Sequence, residues 1–330
     1  MASVADLLWT SVKAIAPVFV VLASGAWLVR QGLLDERASG TLSWLAKWVY
    51  APALLFVRLG GSVNRDLFAE VWVLTVMGVV ILSLNLLMGI LLLPIAKPAP
   101  QFRKWFVYSM TFPNIMSLPL VFTTAVCASG TIRKPLSMDQ SGGEYLSPTE
   151  CTERGELYLF IYILAIIVAL IPPLQSFLFS DNSVATPFIS VLRIFAPGLV
   201  SVITLALATL IGTKLVKTRY ADLFGGDEAT MGISRRTLLL FVLGRTVIIP
   251  GVLFFLMYLA LDLFPKDQLL LVILFFECFV PTANMCALCA PPAQGQIISL
   301  GMVNQYLVGI FTMTMWCFVA LSLSTTAIDA

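Results

Sequence analysis

Apolar residues in this chain come in long unbroken runs, separated by short segments that carry most of the charge. A helix that crosses a bilayer needs about 20 mostly apolar residues. Runs of that length lie near 9–30, 42–60, 69–96, 104–127, 156–180, 188–212, 236–262, 268–292 and 296–323. The pattern predicts an all-α polytopic membrane protein with about nine transmembrane helices. The first run follows an acidic Asp6 and has no clean small-residue cleavage site, so it reads as a span rather than a signal peptide. Only the segments 128–155 and 213–235 exceed about 20 residues between spans, and neither has room for a soluble domain. The organisation expected is a first helical repeat over 1–127, a hydrophilic loop over 128–155, a second repeat over 156–323 and a tail over 324–330.

The two halves echo each other. Gln31-Gly-Leu-Leu leads, 20 positions on, to Ala51-Pro52, and Gln175-Ser-Phe-Leu leads, 21 positions on, to Ala196-Pro197. Two further spans are interrupted, one by Pro113-Asn114 and one by Pro281-Thr-Ala-Asn284. Proline has no N–H and clashes with the carbonyl four residues back, so it opens a helix. Membrane helices tolerate a single proline as a kink. Two breaks in matching positions, each with an asparagine beside it, point instead to a transporter site. Opened backbone is tolerated in a bilayer only against protein or a water-filled cavity. A half-helix starting there aims its positive dipole end inward. Asn114 and Asn284 add neutral donors and acceptors, which suits a carboxylate without a buried lysine. Pro119, Pro291 and Pro292 close the two segments.

Charge inside a span is expensive and usually functional. Glu277 lies mid-span, about one helical turn before Pro281. Arg245 lies mid-span in the seventh run and is its natural partner. The pair fits a coupling or gating role and a structural ion pair equally. Lys47 and Arg193 stand near span ends, each just before an Ala-Pro pair, where long basic side chains snorkel.

Composition agrees with the membrane reading. The chain is 59% hydrophobic and 12% charged, against about 25% charged in a soluble domain, with mean hydropathy +0.95. Its net charge of +2 and lack of a basic stripe argue against nucleic acid. The absence of histidine removes His-based triads and most zinc sites. The six cysteines, Cys127, Cys151, Cys278, Cys286, Cys289 and Cys317, read as small buried hydrophobes, since Cys286 and Cys289 lack a second pair to complete a metal site. No metal, cofactor or catalytic residue is expected.

These motifs resemble the auxin efflux carrier superfamily, which holds the PIN and PIN-LIKES transporters. Phe112-Pro113-Asn114-Ile-Met-Ser-Leu-Pro119-Leu120 is similar to that family's broken fourth helix. Ala165-Ile-Ile-Val-Ala-Leu-Ile-Pro172-Pro173-Leu is similar to its sixth. Leu261-Asp262-Leu-Phe-Pro265-Lys-Asp267 and Pro281-Thr-Ala-Asn284-Met285 are similar to the approach to its ninth helix and that helix's break. The resemblance implies two inverted five-helix repeats whose fourth and ninth helices cross at their breaks. It implies an organic anion as substrate, indole-3-acetate in plants, and the endoplasmic reticulum as location, with the plasma membrane as the alternative. Pro113, Asn114, Pro281, Asn284 and Met285 become crossing and binding residues, while Glu277 departs from an uncharged polar position. Besides substrate and lipid no partner is implied, though the large apolar surface permits a homodimer.

Nine runs are one short of that fold. The chain enters what resembles the fifth helix near Cys151 and already resembles the sixth at Pro172, so one span looks lost by fusion. The basic residues agree. Arg30 and Arg37, then Lys97, Arg103 and Lys104, mark cytoplasmic loops. Nine helices place the cluster Lys214, Lys217, Arg219, Arg235 and Arg236 on the other side, and one restored helix brings it back. Either the repeat geometry is disturbed or the sequence stems from an incomplete gene model or spliced form. In the first case a transport-inactive sensor or regulator that keeps the fold becomes the alternative to a carrier.

Overall fold

The computed structural model describes residues 4–50, 53, 65–115, 117–134, 145–163, 186–195, 198–217, 233–283, 286–287 and 290–329. These are helical nearly throughout. In chain order they form α1 (Val4–Arg30), α2 (Glu36–Leu45), α3 (Arg65–Ala96), α4 (Arg103–Thr111), α5 (Ser117–Ala128), α6 (Pro148–Ile163), α7 (Thr186–Phe195), α8 (Gly198–Lys217), α9 (Arg235–Leu243), α10 (Ile249–Leu259), α11 (Gln268–Phe279) and α12 (Pro292–Asp329). A π-helical turn, Ala46–Tyr50, extends α2, and another, Gly244–Ile248, joins α9 to α10. Extended pairing among the described residues is confined to two isolated β-bridges.

Local chemistry sets the helix ends. Gly32, at φ +73°, follows α1. The Leu33 N–H bonds the Leu28 carbonyl and the Gly32 N–H bonds that of Val29, the left-handed closure that glycine allows. Asp35 then caps α2 by accepting from the Ala38 N–H at 2.8 Å. Asp267 caps α11 through the N–H groups of Leu269 and Leu270. Its other oxygen accepts from Tyr158 Oη at 2.6 Å and forms an ion pair with Arg154 at 3.4 Å. Helix α6 starts at Pro148, inside the stretch expected to be loop, because proline suits a first helical turn. Helix α12 runs on to Asp329, through the expected tail.

Among the described residues, three helical segments are long and apolar enough to cross a membrane: Trp72–Ala96, Arg235–Leu259 and Ala293–Ile328. Phe19–Arg30, Leu118–Ala128, Thr204–Thr213 and Gln268–Phe279 are shorter apolar helices. Every residue of α11 is buried, as befits a helix that is hydrophobic on all sides. It packs against α3, α5, α6, α10 and α12. Phe122, Phe254, Phe275, Phe276, Phe279 and Trp316 meet around it with ring centroids 4.8–6.2 Å apart. Large apolar side chains such as Phe255, Leu259 and Phe311 point outward, which a lipid environment accommodates.

Helix α8 packs along α1 and α2. The approach is close because the contact is built of small residues. A Cβ added at Gly25 would lie 2.3 Å from Ala208 Cβ, and one at Gly212 would lie 2.6 Å from Ala26 Cα.

The cysteine expectation fails at one pair. Cys127, in the last turn of α5, and Cys151, in the first turn of α6, form a disulfide. Both are buried as expected, but they cross-link the ends of neighbouring helices. Cys278, Cys286 and Cys317 are buried and form no disulfide among the described residues. The repeat prolines Pro52 and Pro197, the stretch around Pro172, and Cys289 lie outside the described residues.

Candidate functional site at the crossing of two broken helices

Helix α4 stops at Thr111 because Pro113 cannot donate to the ladder, and α11 stops at Phe279 ahead of Pro281. Phe112 and Val280 both turn to extended backbone, with ψ 101° and 144°. Helices of nine and twelve residues are about 14 and 18 Å long, roughly half the thickness of a hydrocarbon core, so each broken helix ends well inside the protein.

The two breaks meet. Pro113 and Thr282 form an antiparallel β-bridge. The Asn114 N–H donates to the Pro281 carbonyl at 2.8 Å, and the Ala283 N–H donates to the Phe112 carbonyl at 2.9 Å. Residues 169 positions apart thus share the local geometry of a two-residue sheet.

A helix leaves its last carbonyls without donors, and here α4 finds one for each. Pro113 deprives the Ser109 carbonyl, which accepts from Thr282 Oγ1 at 3.0 Å. The Met110 carbonyl accepts from an Arg245 terminal nitrogen at 3.1 Å. The Thr111 carbonyl accepts from Asn85 Nδ2 at 3.4 Å, and that of Phe112 is taken by the bridge. On the other break, Val280 presents its carbonyl to Arg245 Nε at 2.9 Å. The Thr282 N–H donates to Gln305 Oε1 at 2.9 Å. The expectation of open backbone facing a cavity is therefore corrected, because the breaks satisfy each other and draw side chains from α3, α9–α10 and α12. Among the polar atoms of this layer, Asn85 Oδ1 and Ser109 Oγ are buried and without a hydrogen bond.

Arg245 is fully buried and bonds one carbonyl from each break. It faces the negative dipole ends of two half-helices, where a cation is favoured. The π-turn that carries it adds a residue to the helix, as such turns often do at functional sites. Just beyond, Pro250 deprives the Thr246 carbonyl of its donor, and the Trp316 indole N–H supplies one at 2.9 Å.

Asn114 is 6% exposed and its side-chain amide donates to Tyr306 Oη at 3.3 Å. Glu277 is fully buried, and neither carboxylate oxygen has a hydrogen-bond partner. The Arg245 guanidinium acts on it electrostatically. The structure thus joins Pro113, Asn114, Pro281 and Arg245 in one bonded cluster with Glu277 a turn away. Lys47 lies elsewhere: its backbone forms the π-turn after α2, and that turn packs on α8. Asn284 and Met285 fall outside the described residues. The sequence reading missed Asn85, Thr282, Gln305 and Tyr306. The polar triplet Asn304-Gln305-Tyr306 in an otherwise apolar run was the available signal.

A family described as membrane transport protein matches residues 10–162, which include the first break. Over that stretch the chain is similar to a membrane transporter family. An uncharacterized transporter of Schizosaccharomyces pombe is 28% identical over 145 residues, 44% of this chain and 31% of its own length. Protein PIN-LIKES 3 of Arabidopsis thaliana is 24% identical over 167 residues, 49% of this chain and 42% of its own. PIN-LIKES 4 of the same plant is 22% identical over 166 residues, 50% and 37%. The matches therefore span less than half of each relative. The similarity is to membrane transporters. The second break lies beyond the family match.

Proposed function

We propose that this protein is a secondary carrier of a small organic anion of the auxin class, working by alternating access around the crossing of α4 and α11. The observation that carries the reading is the bridge at Pro113 and Thr282, which brings two proline-broken apolar helices together inside the protein. The amide of Asn114, with Asn284 beside the second break, supplies neutral polar contacts for a carboxylate, and Arg245 supplies the nearby positive charge. The degenerate 5+5 inverted repeat and a location in the endoplasmic reticulum come with the family resemblance and belong to the proposal. The Cys127–Cys151 disulfide supports a lumenal or extracellular position for its loop, because such bonds persist in oxidising compartments.

The test is counterflow of radiolabelled indole-3-acetate into proteoliposomes preloaded with the unlabelled compound. Saturable, protein-dependent uptake is expected in the wild type and its loss in Asn114→Ala. Uptake no greater than in protein-free vesicles, or unchanged in the variant, would overturn the proposal. One observation favours a second reading, a transport-inactive regulator: most backbone groups at the breaks are already paired within the protein. Wild-type protein that binds the anion without counterflow would support it.

A further inference from the structure

We propose that Glu277 is a proton-binding site linked to the organic anion, so that the two ligands occupy the protein together. The inference rests on the carrier reading for its substrate, but its physical basis is separate. Glu277 is fully buried, both its oxygens lack a hydrogen bond, and it lies one turn before the break that Asn114 engages. A carboxylate stripped of water and of hydrogen bonds is costly in such an interior, and taking up a proton relieves it.

Among the described residues, the charged and titratable groups on the elements packed against α11 are few. Arg245 reaches Glu277 from the turn between α9 and α10, and Cys278 is its neighbour in sequence. On α12, Tyr306 is occupied by Asn114. On α6, Tyr158 is bound to Asp267, ten residues before Glu277 and about 15 Å away along the helix axis. Glu156, also on α6, is half-buried, and Tyr258 on α10 points outward. Helix α5, and α3 beyond Glu70, carry no acidic or basic residue.

Charge arithmetic then supplies the coupling. With the site empty, Arg245 and an ionised Glu277 sum to zero. An arriving anion leaves one net negative charge in a region of low dielectric, where like charges repel strongly. A proton on Glu277 restores neutrality. Anion and proton must therefore favour each other's binding, and the linkage is reciprocal.

Two measurements test this in reconstituted full-length protein. In the first, infrared spectra are recorded while pH is cycled without substrate. A carbonyl-stretch band of a protonated carboxyl that titrates in the wild type and is missing from Glu277→Gln is expected. Its absence from the wild type, or its persistence in the variant, would overturn the proton site whether or not transport occurs. In the second, counterflow of indole-3-acetate is measured with equal pH on both sides. From neutral to alkaline pH the half-saturating concentration should rise by up to about tenfold per pH unit in the wild type and stay flat in Glu277→Gln. Equal slopes would overturn the coupling. A wild type with no counterflow at all refutes the carrier and, with it, the linkage to an anion, while the infrared result still decides the proton site.

Discussion

Replacing Arg245 with methionine is the sharpest structural perturbation available, because one side chain serves both breaks. Methionine keeps an unbranched apolar stem and removes the guanidinium. The Met110 and Val280 carbonyls, now accepting at 3.1 and 2.9 Å, lose these donors in a buried layer. Leaving a buried acceptor unsatisfied costs about 1–3 kcal/mol, so the two together cost about 2–6 kcal/mol. At about 2 °C per kcal/mol for a long chain, the thermal midpoint should fall by roughly 4–12 °C. Intrinsic tryptophan fluorescence of purified protein in detergent, at fixed protein and detergent concentration, reads that midpoint. Lysine at the same position offers a point charge that cannot span both carbonyls as the planar fork does. Arg245→Lys should therefore fall between wild type and Arg245→Met. A double variant with Glu277→Gln tests the electrostatic part. If Arg245 also offsets a charge on Glu277, the methionine substitution costs less when Glu277 is neutralised, a non-additivity of about 0.5–3 kcal/mol. A methionine variant that melts with the wild type would refute the role of Arg245 as the staple of the crossing.

Two further outcomes follow from contacts away from the crossing. Gly212→Leu should separate α8 from α1, since even a Cβ there would lie 2.6 Å from Ala26 Cα; loss of monodisperse protein on size exclusion checks it, and a normal profile refutes the close packing. Replacing Cys127 and Cys151 with serine should cost about 3.5 kcal/mol for a cross-link with a sequence separation of 24; thiol counting on denatured wild-type protein should show two additional thiols after reduction, and an unchanged count refutes the bond.

What the sequence made legible was where helices fail, not what repairs them. Pro113 and Pro281 mark their own breaks because a missing N–H is a property of the residue. The likeness to a family with crossing helices told which breaks should meet. The partners were hidden because they act across the fold. Nothing local to Thr282 says that its hydroxyl will take the carbonyl Pro113 orphans at Ser109, and nothing local to Trp316 says that its indole will do the same for Pro250. The π-turns were equally silent, since one extra residue barely shifts the periodicity of a run that is apolar on every side. Cys127 and Cys151 failed for a related reason. They were judged by the apolar stretches around them, whereas their pairing depends on α5 and α6 turning back on each other. Helix α6 began early because Pro148 through Glu156 is polar, so hydropathy marked only its apolar remainder.

The way the crossing is stitched limits how any carrier built on it can move. The bridge, the Arg245 bonds and the Thr282–Ser109 bond tie α4, α11 and the turn between α9 and α10 to one another. Sliding one break past the other would expose several buried polar groups at once, at about 1–3 kcal/mol each. Such a cost opposes a gate that opens by separating the breaks. It favours motion in which both breaks travel as one body with α9, α10 and α12. The opposing body is then the group of α1, α2 and α8, which is bound together by close contacts at Gly25 and Gly212. The interfaces between them are those of α1 with α5 and α12, and of α8 with α5 and α12. Among the hydrogen bonds reported for the crossing, none has to break for that motion. A site riding on the moving body keeps Asn114, Tyr306, Arg245 and Glu277 in fixed relation, so an anion and a proton could cross without the protein rebuilding the place that holds them.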